Sequence, residues 1–355
     1  MIEALHKAHE CAPDGIRTID QLRFHLQIAM QLELSTVPPY LCALYSIRDG
    51  HNEIAAQVIR SVVMEEMLHI TLVGNVLNAI GGKVELTTGV PCYPTKLPHS
   101  NGAFTVSLRK FSKAAIQTFL DIERPEKKHA KPEAEDYKTI AQFYQAIEKG
   151  LRRVCGERNK HFVKKAVGEK AQVFPRQYYG SIGSAFPVSD LPTALRALQQ
   201  IVNQGEGVSD TLFTSKRRTR LAVDGRELAH YFRFQQIAVG RLYRIGDKID
   251  HPTGAPLEVD WDAVYQMREN PRADDFPPGN EIRGKIDDFN RSYMRLLESV
   301  EQSLTGEPTH LMASVGSMYD LKYRAVELMK IPRGDGDGMA GPSFEFIEAA
   351  QEAAA

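Results

Sequence analysis

The sequence predicts an all-α fold: a four-helix bundle with a long embellished crossover between its second and third helices and extra helices towards the C-terminal end. Three observations carry this. Long segments repeat apolar residues at helical spacing, those segments begin and end at capping or breaking residues, and several of them set acids or histidines on the apolar face itself. Residues 1–355 read as a single domain. Its core helices lie at about 18–48, 52–80, 189–207 and 225–245, with an insertion at 83–187 and a C-terminal helical extension at 280–330.

The first core helix starts at Thr18, a good N-cap, and its stripe runs Leu22, Leu26, Ala29, Met30, Glu33, Val37. Pro38-Pro39 should kink or break it before a continuation that ends at Gly50. The second helix stops at Gly81-Gly82, and its stripe is Ile59, Val62, Val63, Glu66, His69, Val73, Val76, Leu77, Ile80. The insertion opens with the proline-rich VELTTGVPCYPTKLPHSNG. It carries helical patterns near 111–123 and 134–153, then an aromatic, glycine-rich stretch closer to strand or loop. The third helix has Ser189 or Asp190 as cap and Leu195, Leu198 and Val202 on its stripe; the fourth is GRELAHYFRFQQIAVGRLY. Two further helices are expected at 280–302 and 308–330.

Composition narrows the partners. Apolar residues make up 43% and charged residues 25% of 355, and the net charge is −1, so neither nucleic acid nor an anionic membrane is an expected partner. The basic run Lys216-Arg217-Arg218-Thr219-Arg220 reads as a solvated loop. Four cysteines stand far apart without CxxC pairing, no apolar run approaches the roughly 20 residues that cross a bilayer, and the N-terminal stretch has no apolar core. The expectation is a cytoplasmic protein.

The chemistry lies in acids and imidazoles on the stripes. Glu66 and His69, three apart, share one side of a helix. Glu65 falls on the flank, where solvent is expected, although it is four residues from His69. Glu227 and His230 repeat the spacing on the fourth helix, and Glu33 and Glu206 are single inward glutamates on the first and third. One Glu-x-x-His arises by chance on the order of once in such a chain; two on inward stripes, each preceded by a helix with one inward glutamate, are far rarer. Four converging carboxylates would repel one another unless cations sat between them. Four carboxylates and two neutral imidazoles suit two Fe ions, with Mn accepting the same ligands. The competing explanation is a set of buried salt bridges to arginines such as Arg23 or Arg241.

The stretches QLELSTVPPYLCALYSI, VVMEEMLHITLVGNVLNAIGG, IVNQGEG and ELAHYFRF, and more weakly AGPSF, resemble the ferritin-like domain of the violacein-pathway iminophenylpyruvate dimer synthase family. Residues 18 to 245 carry most of the likeness. It implies a ferritin-like bundle whose metal ligands map onto Glu33, Glu66, His69, Glu206, Glu227 and His230. It also implies oxidation of an imine or enamine derived from an amino acid, in natural-product biosynthesis.

The expected activity is therefore that of a non-haem di-metal oxidoreductase with two Fe ions, dioxygen as cosubstrate and a small amino-acid-derived substrate. Tyr40 and His25, near Glu33, are candidate catalytic groups, the alternative being core or ligand-supporting roles. Phe174, Tyr178, Tyr179 and Phe186 either line a substrate pocket or pack the insertion onto the bundle. The rivals are an iron-binding ferroxidase without an organic substrate and a non-catalytic partner protein. A homodimer is expected from bundle habit. The tripeptide Arg333-Gly334-Asp335 has no use in such a protein, and a calcium loop at Asp335 fails because Phe346 stands where its closing glutamate belongs.

Overall fold

A computed structural model describes residues 1–97, 104–125, 137, 139–156, 158–163, 172–178, 185–205, 212–216, 226–334, 336 and 338–347. Ten α-helices and two small two-stranded antiparallel sheets stand among them, which makes the fold all-α as the sequence predicts. No helix among the described residues is long and apolar enough to cross a membrane.

After α1 (Ile2–Cys11), helix α2 (Ile19–Leu34) opens with a capping box: the Thr18 side chain accepts from the Gln21 amide, and the Gln21 side chain accepts from the Thr18 amide. The chain breaks where the prolines require it. Helix α3 (Val37–Ser46) takes Pro38 and Pro39 into its first turn, where a missing N–H costs nothing. Helix α4 (Glu53–Ala79) is the longest and stops at Gly81, whose φ of +70° favours glycine.

The insertion holds β1 (Thr95–Leu97) and β2 (Phe104–Val106), paired with Thr95 opposite Val106, then α5 (Lys113–Ile122) and α6 (Ile140–Cys155). Both helices are capped from the side chain, by Ser112 and Thr139. Helix α7 (Leu191–Gln204) follows with Asp190 as cap.

The fourth core helix differs from the sequence expectation of 225–245. Residues 226–228 form β4 (Arg226–Leu228), antiparallel to β3 (Phe213–Lys216), with Lys216 opposite Arg226. Only from His230 does the chain turn into α8 (His230–Val239), which Gly240 ends in the left-handed conformation at φ +72°. Glu227 is thus a strand residue. Helices α9 (Glu281–Leu304) and α10 (His310–Leu328) pack against each other near the expected places.

Helix α4 is the hub. It packs against α2, α3, α7, α8 and α9, while α5 lies on α8, α6 on α2 and α7, and α10 on α9 and α3. A Cβ at Gly74 would sit 2.9 Å from Leu304 Cδ1, so α9 approaches α4 more closely than an alanine there would permit. One apolar cluster runs from Leu5 to Phe344, and a satellite of Leu212, Leu228, Ala229, Phe232 and Tyr243 gathers around the start of α8. Being covered on several sides, α4 buries Glu65 as well as Glu66.

Candidate metal centre

Five acid and imidazole side chains meet where α2, α4, the end of α5 and the start of α8 converge. Among the described residues, Glu33, Glu66 and His69 form one group of facing ligand atoms, and Glu66, Glu123 and His230 form a second. All are buried, and the atoms of each group lie within 4.8 Å of one another. Glu66 belongs to both. Its Oε2 is 3.6 Å from His69 Nδ1 and its Oε1 is 3.0 Å from His230 Nδ1. The two imidazoles stack across it at 5.6 Å between centroids.

The outer carboxylates repeat one pattern. Glu33 Oε2 lies 3.1 Å from His69 Nδ1, and its Oε1 accepts from the Tyr144 hydroxyl on α6. Glu123, the residue that closes α5, sets Oε2 3.4 Å from His230 Nδ1 and accepts the Tyr40 hydroxyl at Oε1 over 2.5 Å. Each outer carboxylate therefore has one oxygen held by a phenol and the other turned inward. The far nitrogens of the imidazoles are held too: His69 Nε2 is 3.3 Å from Gln204 Oε1, and His230 Nε2 is 2.7 Å from Glu65 Oε2.

Glu65 is completely buried, contrary to the expected solvent-facing flank, because α8 covers that side of α4. Its partner is Arg233, with Nη2 3.1 Å from Glu65 Oε1. Arg233 is itself fixed by the Leu228 carbonyl and Ser61 Oγ. The salt bridge to Glu65 thus comes from neither Arg23, which bonds the Ile80 carbonyl and Asp20, nor Arg241, which bonds the Gly254 carbonyl.

Electrostatics show how this pocket balances charge with protons. Burial opposes ionisation of Glu66, but the neighbouring imidazoles His230 and His69 overcome it and hold the carboxyl well below its usual range. Burial raises Glu33, only partly countered by His69. His69 would lose its proton to burial, yet Glu33 and Glu66 push its pKa up to about 10, and His230 is raised in the same direction by Glu123, Glu65 and Glu66. For Glu65, Arg233 and His230 outweigh burial and keep the carboxylate ionised.

Those protons occupy the positions that cations would take. His230 Nδ1 is buried and makes no hydrogen bond of acceptable geometry, although two carboxylates face it. A buried polar atom in that state is costly, and a coordinated ion removes the cost. Three carboxylates and two imidazoles are a donor set for divalent Fe or Mn. The adjoining cavity has a volume of about 40 Å³, walled by Leu32, Ile122, Ile140, Ile201 and Val202. At roughly 10–15 Å³ per water-sized sphere that is room for about three such species.

Of the residues singled out in the sequence, Glu33, Glu66, His69 and His230 come together here. Glu206 lies outside the described residues; Gly205 before it lines the cavity. Glu227 is buried on β4 and belongs to neither group, since a strand does not bring residues 227 and 230 onto one face as a helix would. Tyr40 reaches the centre through Glu123. His25 does not line the cavity: its Nδ1 meets the Gln21 carbonyl, its Nε2 meets the Tyr137 hydroxyl, and its ring stacks on Phe143. Tyr178 donates to the Met64 carbonyl on α4 and Phe186 packs under Arg196, so both tie the insertion to its neighbours; Tyr179 is outside the described residues.

Comparison with known proteins agrees with the fold. The chain is 27% identical over 330 residues to dichlorochromopyrrolate synthase of Lentzea aerocolonigenes, a match taking in 81% of this chain and 29% of that protein. It therefore spans less than a third of that relative's length. The crystal structure of a ferritin-like protein from Caulobacter vibrioides covers 93% of this chain and 100% of its own, with a TM-score of 0.61 and 23% identity, a likeness of fold. Residues 26–239, which run from α2 to the end of α8 and enclose all five converging side chains, match the ferritin-like family, and the chain belongs to it.

Proposed function

We propose that this protein is a non-haem di-metal oxidoreductase that uses dioxygen to oxidise a small amino-acid-derived substrate, an imine or enamine, in natural-product biosynthesis. The observation that carries the reading is Glu66 shared between two buried carboxylate–imidazole groups, with His230 Nδ1 left without a hydrogen bond. The relative named as a synthase supports a biosynthetic role over iron handling alone. Iron is the proposed metal, and manganese suits the same donors.

Bound redox-active ions would supply electrons to dioxygen and oxidising power to the substrate. The chain's own residues do the rest. Glu66 would bridge, Glu33 and Glu123 would each offer the inward oxygen, and His69 and His230 would each offer Nδ1. Tyr144 and Tyr40 hold the outer carboxylates by their second oxygen, so neither has to be immobilised when an ion enters. The branched apolar side chains along the cavity would limit the water around the reacting atoms.

The test is anaerobic Fe(II) loading followed by oxygen, with and without an extract of amino-acid-derived metabolites, read by mass spectrometry. Oxygen-dependent loss of one amine-derived metabolite and appearance of its oxidised product supports the reading. The rival reading is a ferroxidase, which would use the same carboxylate and imidazole donors without an organic substrate. Oxygen uptake that stops once the loaded iron is oxidised, whatever the extract, would establish that alternative.

A further inference from the structure

The two imidazoles look alike from inside the cavity and differ behind it. Both turn Nδ1 towards Glu66, and both have Nε2 held by a residue that cannot reach the ligand atoms. Behind His230 that residue is Glu65, at 2.7 Å; behind His69 it is the neutral amide of Gln204, at 3.3 Å. A carboxylate accepting the Nε2–H makes an imidazole a stronger donor at Nδ1 and fixes its tautomer and ring plane; an amide oxygen does so less. Glu65 can play this part because Arg233 keeps it charged in a fully buried place, and Arg233 is locked by the Leu228 carbonyl and Ser61 Oγ. No such cation accompanies Gln204 among the hydrogen bonds and ion pairs of the described residues.

Building on the di-metal reading, we propose that Glu65 and Gln204 are positioning residues that make the two metal positions unequal. The position at Glu66, Glu123 and His230 fills first and more tightly; the position at Glu33, Glu66 and His69 fills second. The cavity touches both positions, at Glu123 for the first and at Glu33 and His69 for the second, but of the two imidazoles only His69 lines it. The ion beside His230 would thus serve as the anchor, and the one beside His69 would be the more readily exchanged.

Stepwise anaerobic titration of the metal-free full chain with Co(II) tests this, followed by calorimetry and by visible absorption of the bound ion. Wild type should show two steps of unequal affinity. Glu65→Gln should weaken the tighter step about 10- to 100-fold and leave the weaker one in place. Glu65→Gln combined with Arg233→Met removes the carboxylate together with the cation that keeps it charged and leaves a neutral amide behind each imidazole; the two steps should then merge near the affinity of the weaker, with a changed absorption spectrum for the first ion only. Because Glu65→Gln alone leaves Arg233 buried without its partner and can fail to fold, the double variant is decisive. Two equal steps in wild type, or a double-variant isotherm identical to wild type, would overturn the proposal while leaving the di-metal centre intact. No Co(II) uptake by wild type at all would remove the di-metal reading and this inference with it.

Discussion

Glu66 turns one carboxylate oxygen to His230 Nδ1 at 3.0 Å and the other to His69 Nδ1 at 3.6 Å. A carboxylate facing two imidazoles through separate oxygens is in the position of a bridge, and no other side chain belongs to both groups. Removing it should therefore differ in kind from removing an outer ligand. Glu66→Ala is expected to abolish tight binding of both ions, whereas Glu33→Ala and Glu123→Ala should each lose one. Elemental analysis after anaerobic loading and desalting gives the count, and Glu66→Ala retaining a full complement would refute the bridging role.

Metal uptake should release protons. Without ions, His69 and His230 are held protonated at neutral pH, and ligation through Nδ1 requires each to be neutral. Loading at pH 7 should release about two protons from the imidazoles and a further fraction from Glu33, whose carboxyl is raised to about 7, and affinity should rise with pH up to about 10, where His69 is losing its proton unaided. A dye-coupled titration in weak buffer measures the yield; release near zero at pH 7 would contradict the assignment.

The same groups set the pH dependence of stability of the metal-free protein. The folded pKa of His69 is raised from 6.5 to about 10, so its contribution is fully present below 6.5 and disappears as pH rises through 10. Glu33, also raised, is penalised once an unfolded carboxylate would ionise, which again lowers stability as pH rises. Thermal melts of metal-free protein should fall between pH 7 and 10, and those of loaded protein should fall much less.

Tyr40 is completely buried between Phe119 and Phe234, so Tyr40→Phe keeps the packing and removes only the hydroxyl. The lost bond runs to a carboxylate, and the expected cost is roughly 1.5–3 kcal/mol by chemical denaturation of the metal-free protein. A change under about 0.5 kcal/mol would mean that Glu123 does not depend on that phenol.

Arg233→Ala should be more damaging, because it takes from the fully buried Glu65 its guanidinium partner and leaves only His230 beside it. Breaking such a pair costs about 3–5 kcal/mol, and the double variant Glu65→Met, Arg233→Met should recover most of it. A double variant no more stable than Arg233→Ala would show that the charge is not the cause.

What could be read in the sequence was whatever local periodicity encodes. Glu33, Glu66 and His69 interrupt apolar stripes on helices that form close to their expected bounds, so their inward direction followed from spacing alone. Glu123 carried the same signal, closing the stripe Ile116, Phe119, Leu120 at one further helical step, on a helix assigned to the insertion instead of the core. Glu65 was misread because a stripe describes a helix with one covered face, and α4 is covered on several. Glu227 was set on a helix because Glu-x-x-His has no way to announce that its first residue pairs with a strand through non-local contact at Ser215. Tyr144, Gln204 and Arg233 have no sequence signature at all: a phenol, an amide and a guanidinium on amphipathic helices become partners of the centre only once the helices are packed.

The central claim is that two cations share Glu66, and its most direct test is an anomalous difference map from crystals of the protein loaded anaerobically with Mn(II). The expected result is two peaks flanking Glu66, one against Glu33 and His69 Nδ1 and one against Glu123 and His230 Nδ1. A map with no peak at Glu66, or with a single ion held by residues other than these, would contradict it.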